Sequence, residues 1–234
     1  IQRDFLDATE FFFHYKDHRR EMHRLAEAIG HVYDQIPRVT ADSPAEAVLW
    51  GANYDDMITY PPYFEQELSP WLRKASAYLA SKGKLAVCHC DGENKGLIDV
   101  IEDSGMHVAE AVCCAPMTKL PIETYYDRWC RSDKLTIMGG LIQSLLSPAT
   151  ATIDDLNAYL DHFFKAVSPG RRIILSVADT TPPNADFDRL AMVGERVETE
   201  GRLPFEAGGL RPQSAEQLQA AAARTAGAAA PEEV

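Results

Sequence analysis

The chain has 234 residues, of which 46% are hydrophobic and 25% are charged, a composition typical of a globular protein with an apolar core. Its formal net charge of -12 argues against nucleic acid and anionic membranes as partners, because both bind clustered lysine and arginine. No window offers the roughly 18–20 apolar residues of a membrane-spanning helix, and the N-terminus lacks a secretory signal pattern, so the expected location is the cytoplasm.

The first predicted elements are a helix, a strand and a second helix. Apolar residues recur at helical spacing over residues 22–36, and Pro37 is predicted to end that helix. A short apolar run over residues 47–51 then predicts a buried strand. Ser69 and Pro70 predict the start of the next helix, with the serine as its N-terminal cap and the proline in its first turn.

Strands and helices continue to alternate along the rest of the chain. Further strands are predicted over residues 85–89, 107–112, 135–138 and 173–177, and helices over residues 97–101, 122–130, 152–167 and 187–197. Thr152 and Asp155 have the spacing of a capping box. Strands that alternate with helices predict parallel pairing, in an open doubly wound sheet or in a closed β/α barrel. The lack of a glycine-rich fingerprint after an early strand disfavours a dinucleotide-binding sheet.

Three segments are predicted. Residues 1–44 form an N-terminal helical segment, residues 45–202 hold the β/α units, and residues 203–234 form an alanine-rich tail that is expected to be flexible. A TIM barrel has eight β/α units and usually about 250 residues. The chain would therefore supply about five units, a partial barrel. Ile1 in place of an initiator methionine is expected of a processed, trimmed or partial sequence.

The most informative polar residues follow the strand at residues 85–89. Reactive groups of a β/α barrel lie at the carboxyl ends of its strands. Because side chains alternate along a strand, His89 and Asp91 are predicted to share one face and Cys88 and Cys90 the other. His89 and Asp91 could hold a metal through an imidazole nitrogen and a carboxylate oxygen, or could be a hydrogen-bonded pair that orders the loop.

The five cysteines are interpreted as reduced thiols, since their number is odd and they lie in predicted strands and helices. Cys88 and Cys90 are predicted to be buried rather than metal-ligating, because consecutive strand residues cannot all point at one ion. Cys113 and Cys114 follow the next strand, and either thiol could line the mouth of a pocket.

Two further strand ends carry candidate residues. Asp179 follows the last strand and could be a third metal ligand, a general base or the N-terminal cap of the last helix. Asn53, Tyr54 and Tyr60 follow the first strand and could shape the wall of a pocket.

Several short motifs, in their order and spacing over about residues 45–198, resemble the second half of the uroporphyrinogen decarboxylase superfamily of TIM barrels. They are Trp50-Gly51-Ala52-Asn53-Tyr54, Tyr60-Pro61-Pro62-Tyr63-Phe64, Leu68-Ser69-Pro70, Gly83-Lys84, His89-Cys90-Asp91-Gly92, Ala115-Pro116-Met117-Thr118, Lys134 to Gly140, Ile173-Ile174-Leu175-Ser176 and Asp179-Thr180-Thr181-Pro182-Pro183.

The resemblance implies a methyltransferase as the first functional hypothesis. One branch of the superfamily is zinc-dependent and transfers a methyl group from a methylated corrinoid protein to a thiol or to tetrahydrofolate. Its metal site is a His-x-Cys-Gly motif with a distant cysteine. His89 matches the histidine of this motif. Asp91 occupies the position of its first cysteine, and Asp179 lies near the position of the second. The resemblance thus implies that these three residues are catalytic and hold zinc or another divalent metal, with the corrinoid supplied by a partner protein and a small-molecule methyl acceptor.

Two alternatives stay open. The decarboxylase branch removes acetate carboxylates from uroporphyrinogen without a cofactor, but its polyanionic substrate suits a basic pocket better than loops that contain Asp91, Glu93 and Asp179. A catalytically degenerate barrel that acts as a scaffold beside a corrinoid protein is the third hypothesis, because aspartate replaces both cysteines of the resembled metal site.

Overall fold

A computed structural model describes residue 1 and residues 5–51 and 53–203. The chain divides into two compact units, one comprising Ile1–Val112 and the other beginning at Cys113. The predicted tail at residues 203–234 lies, apart from Leu203, outside the described residues, and the predicted boundaries after residues 44 and 202 stay predictions. In the described part of the chain no helix has both the length and the apolar character needed to cross a membrane.

The first unit begins with three helices, α1 (Ala8–Asp17), α2 (Arg19–Tyr33) and α3 (Ile36–Ala41). The prediction that Pro37 ends a helix is wrong, because α2 ends at Tyr33 and Pro37 lies in the first turn of α3. A proline is tolerated there because the first N–H groups of a helix have no partner within the helix. Phe11 and Tyr15 of α1 and Met22 of α2 are buried in one aromatic-rich cluster.

A longer helical segment follows the first strand. It consists of α4 (Pro61–Tyr63), a π-helical turn (Phe64–Leu68) and α5 (Ser69–Ser81). The prediction that Ser69 caps a helix is wrong, because helical backbone already begins at Pro61. Ser69 is fully buried, and its Oγ makes no hydrogen bond to the described residues.

Three parallel strands form the sheet of the first unit. They are β1 (Ala47–Trp50), β2 (Leu85–His89) and β3 (Val108–Val112), and α6 (Ile98–Glu102) connects the last two. Val48, Ala86 and Leu79 of α5 form a buried apolar cluster on one face of this sheet. The register pairs Leu49 with Val87, and it pairs His89 at the carboxyl end of β2 with Glu110 in the middle of β3.

The second unit continues the alternation. Its elements are α7 (Ile122–Tyr125), a π-helical turn (Tyr126–Cys130), β4 (Thr136–Leu141), a 3₁₀ turn (Gln143–Leu146), α8 (Ile153–Ala166), β5 (Ile173–Val177) and α9 (Phe187–Glu200). β4 and β5 pair in parallel. The predicted capping box is confirmed, since Thr152 and Asp155 exchange both hydrogen bonds at the start of α8.

Glycine in β4 is explained by the helix that packs on it. Gly140 has φ +86°, and a Cβ at this position would lie 2.7 Å from the ring of Phe163 in α8. Only glycine adopts this backbone conformation without strain and leaves room for the ring.

The predicted α/β architecture is confirmed for the described residues. Five strands lie close to their predicted positions, and each is followed by a helix. The pairings within each unit are parallel. Closure of such strands into a barrel of eight remains a prediction.

Candidate metal centre

The side chains at the end of β2 alternate as predicted. Cys88 and Cys90 are fully buried, whereas His89 and Asp91 are each partly exposed. The backbone N–H of Cys90 donates to the carbonyl of Glu110 at 2.7 Å, so the pairing of β2 with β3 continues past the end of β2. His89 and Asp91 therefore emerge on the same side of a fixed strand end.

His89 is oriented by a carboxylate from the neighbouring strand. Its Nδ1 lies 2.6 Å from Oε2 of Glu110, and both side chains are about a quarter exposed. If Nδ1 carries the proton and donates to Glu110, Nε2 becomes the nitrogen that can bind a metal. Metal-ligating histidines are commonly held by a carboxylate in this way.

Asp91 is oriented by the loop that follows β1. The side-chain amide of Asn53 donates to Oδ2 of Asp91 at 2.8 Å. A carboxylate has several acceptor positions on its two oxygens, so this bond directs Asp91 without using its whole capacity to bind a cation. Asn53, for which a place in a pocket wall stays a prediction, contacts one of the candidate ligands directly.

Glu110 contacts a candidate ligand, His89, and no sequence pattern predicted this contact. Its signal is present in the sequence, since a glutamate interrupts the apolar run Val108-Ala109-Glu110-Ala111-Val112. A charged group in a buried strand normally requires a partner. The identity of that partner depends on the register between β2 and β3, which the sequence does not give.

The thiols behind His89 and Asp91 form a buried cluster with Tyr54. The adjacent Cys88 thiol, together with burial, raises the pKa of Cys90 well above its ordinary value. Burial, and then the same Cys88, raises the pKa of Tyr54. Cys90 lies on the buried side of the strand, opposite His89 and Asp91, so it is not placed to share a metal with them. All five cysteine side chains are buried and none is in a disulfide bond, which agrees with the prediction of reduced thiols.

Asp179 belongs to the second unit and is exposed just beyond β5. The backbone of the preceding residue, Ala178, is held at both of its polar groups. Its N–H donates to the carbonyl of Leu141 at 2.9 Å, and its carbonyl accepts from the Cys113 thiol at 3.5 Å. The interpretation of Asp179 as the cap of the last helix is wrong. Asp186 caps α9, with its carboxylate accepting from the N–H of Asp188 at 2.9 Å.

Cys113 and Cys114 were predicted as thiols that could line the mouth of a pocket. Cys113 and Cys114 are both buried. The Sγ of Cys114 lies 3.3 Å from the hydroxyl of Tyr159, which itself donates to the carbonyl of Gly140. Burial raises the pKa of Cys114. Cys114 therefore has the character of a packed, protonated thiol.

The donor set at the end of β2 suits a divalent metal. An imidazole nitrogen and a carboxylate oxygen, each on a side chain that is hydrogen-bonded to a second residue, are common ligands of zinc and of harder divalent ions. The contact of His89 with the Glu110 carboxylate and the hydrogen bond that Asp91 accepts from Asn53 supply the orientation that such ligands usually have. The residues present therefore fit a metal.

Comparison with solved protein structures shows a related fold. The fold is similar to that of a methyltransferase from Methanosarcina mazei, with a TM-score of 0.61 and 15% sequence identity. The similar region covers 81% of this chain and 53% of the methyltransferase, so the chain spans about half the length of that protein. No family model and no curated protein matches the chain. The likeness establishes a methyltransferase-like fold.

Proposed function

We propose that this protein is a metal-dependent methyltransferase of the uroporphyrinogen decarboxylase superfamily, which transfers a methyl group from a methylated corrinoid protein to a thiol or to tetrahydrofolate. The observation that carries the proposal is the pair of oriented ligands at the end of β2, with His89 held by Glu110 and Asp91 held by Asn53. The methyltransferase-like fold supports the same reaction class.

We further propose that His89, Asp91 and Asp179 are the metal ligands. Glu110 would hold the Nδ1 proton of His89, so that Nε2 faces the ion, and Asn53 would keep one oxygen of Asp91 engaged. Asp179 carries a carboxylate just beyond the carboxyl end of β5, where ligands of a β/α barrel are expected. A bound divalent ion would act as a Lewis acid and lower the pKa of the methyl acceptor.

The nature of the ligands bears on which metal would be used. A set of one histidine and two aspartates is harder than one histidine and two cysteines, and it favours zinc less strongly over other divalent ions. We therefore propose zinc or another divalent metal, with the corrinoid supplied by a partner protein and a small molecule as methyl acceptor.

Methyl transfer from methylcobalamin to coenzyme M by the purified protein tests this function. We expect activity that a chelator removes, and that falls at least a hundredfold in His89→Ala and in Asp179→Asn. His162→Ala provides a matched control, because His162 is an exposed histidine of α8 that pairs with Glu123. Equal activity in the wild type and in His89→Ala would refute the proposal. Turnover of a porphyrinogen in the presence of chelator would favour the decarboxylase hypothesis instead.

A further inference from the structure

We infer that Asp55 is a positioning residue for the metal centre, acting through the backbone beside Asp91. The inference rests on the proposed function, because it concerns the same site. It assigns a role to a carboxylate that is not itself a ligand and that no sequence motif marks. Two loops are involved, the β1 loop (residues 53–60) and the β2 loop (residues 90–97).

The carboxylate of Asp55 joins these two loops. Its Oδ1 accepts from the backbone N–H of Met57 in its own loop, at 2.9 Å. Its Oδ2 accepts from the backbone N–H of Glu93 in the β2 loop, at 3.0 Å. One side chain thereby fixes the shape of the β1 loop and attaches the β2 loop to it.

Asp55 also packs against the residue that follows Asp91. Gly92 has φ +105°, and a Cβ added to it would lie 3.0 Å from Cβ and 3.3 Å from Cα of Asp55. The close approach explains why glycine occupies this position. Because Asp55 packs against Gly92 and accepts from the N–H of Glu93, the β1 loop sets the direction in which the chain leaves Asp91.

The same loop supplies the second support of Asp91. Asn53 lies two residues before Asp55 and donates to the Asp91 carboxylate at 2.8 Å. A shift of the β1 loop would therefore disturb both the backbone next to Asp91 and the hydrogen bond on its side chain. Loss of the Asp55 carboxylate should reduce metal affinity even though Asp55 does not contact the ion.

Asp56 offers a matched control on the next residue. It also joins the loops, because its N–H donates to the Glu93 carbonyl at 2.7 Å and its Oδ2 accepts from the N–H of Gly96 at 2.8 Å. The side chain of Asp56 thus holds Gly96, which is five residues after Asp91 in the sequence. Asp56→Ala thus removes the same charge from the same loop and leaves the supports of Asp91 in place.

The test measures zinc affinity by competition with a chromophoric chelator, together with the thermal unfolding midpoint. We expect Asp55→Ala to lose affinity by about tenfold or more, as is typical when an outer hydrogen-bonding partner of a metal ligand is removed. Asp55→Asn retains one acceptor oxygen and should bind with intermediate affinity. Asp56→Ala should lower the unfolding midpoint comparably and keep the wild-type affinity.

A purely structural role for Asp55 predicts lower unfolding midpoints in both alanine variants and unchanged zinc affinity, and this result would overturn the inference. Should Asp55→Ala fail to fold, Asp55→Asn carries the test, and wild-type affinity in that variant would count against the inference. A wild type that binds no zinc, cobalt or manganese would remove the proposed function and the inference together. Wild-type binding that is lost in His89→Ala but unaffected at Asp55 would remove the inference alone.

Discussion

The contact between His89 and Glu110 is the residue-level feature on which the proposed chemistry depends most. Glu110 lies in the middle of β3, between Ala109 and Ala111, which are both fully buried. Placing a carboxylate there is costly unless it is paired. Its partner is the imidazole at the candidate metal centre, 2.6 Å away.

Glu110→Gln is expected to weaken metal binding by about 10–100-fold, because the neutral amide supports the imidazole less strongly than a carboxylate does. Metal affinity measured by chelator competition checks this. Glu21→Gln, which makes the same change on the exposed surface of α2, should bind metal as the wild type does. Wild-type affinity in Glu110→Gln would show that the contact has no role in metal binding.

The thiols give a second prediction at the residue scale. Burial raises the pKa of Cys130 to about 12, and it also raises the pKa of Cys114. Because the thiolate is the reactive form, iodoacetamide at about pH 8 should leave all five cysteines of the native protein unmodified. Mass spectrometry should find all five labelled in denaturant. Rapid labelling of a native cysteine would contradict its burial.

Individual site residues could be predicted only in part. His89, Asp91 and Asp179 were identifiable because they follow apolar runs that predict strands. Glu110 and Asp55 were not, since their contacts depend on strand register and on the path of two loops. The local periodicity of the sequence gives no information about strand register or about the path of a loop.

At the scale of elements, the π-helical turn at Phe64–Leu68 holds the N-terminal helices of the first unit. Oε1 of Glu67 in this turn accepts from the Tyr15 hydroxyl at 2.7 Å and from Arg19 at 3.0 Å. His23 Nε2 lies 3.2 Å from the same oxygen. Side chains on α1 and α2 therefore converge on one carboxylate.

This convergence predicts a pH dependence of stability. Burial acts to raise the pKa of Glu67, but the bonds from Tyr15, His23 and Arg19 outweigh it and hold the pKa below the usual 4.5. A lowered pKa stabilises the fold fully above about pH 4.5, and this stabilisation is lost as the pH falls through the pKa of the folded state. Urea unfolding should therefore show a steeper loss of stability below pH 4.5 in the wild type than in Glu67→Gln.

Glu65→Gln is the control, since it changes the same charge at an exposed position of the same turn. Identical acid profiles for the wild type and Glu67→Gln would exclude the carboxylate as a stabilising contact.

Helix starts and ends were predicted where local chemistry decides them. The capping box at Thr152 depends on residues three apart and was predicted correctly. The start at Ser69 was not, because the π-helical turn joins two helical segments and buries the serine. Burial of that kind follows from tertiary packing, which overrides a local cap signal.

At the scale of the whole molecule, the alternation of strands and helices was predictable because each strand is a short apolar run between polar turns. The sequence left open whether parallel strands form an open sheet or a barrel, since both satisfy the same pattern. The methyltransferase-like fold leaves both the reaction and the substrate to experiment.

The exposed face of β1 and β2 gives a prediction about solution behaviour. Leu49 is 58% exposed and Leu85 47% exposed, and the register places both on the face that carries His89. Exposed apolar strand faces favour self-association. The chain alone should bind the dye ANS and self-associate, and Leu49→Lys with Leu85→Lys should reduce both. Val39→Lys, on the exposed surface of α3, should change them less. A wild-type chain that is monomeric and binds no dye would contradict this.

The central claim is that His89 and Asp91 help to hold a divalent metal. Metal content determined by mass spectrometry on the purified protein and on His89→Ala tests it most directly. We expect about one equivalent of a divalent metal in the wild type and its loss from the variant, with both proteins folded. Metal retained in the variant, or none bound by the wild type after incubation with zinc, cobalt or manganese, would contradict it.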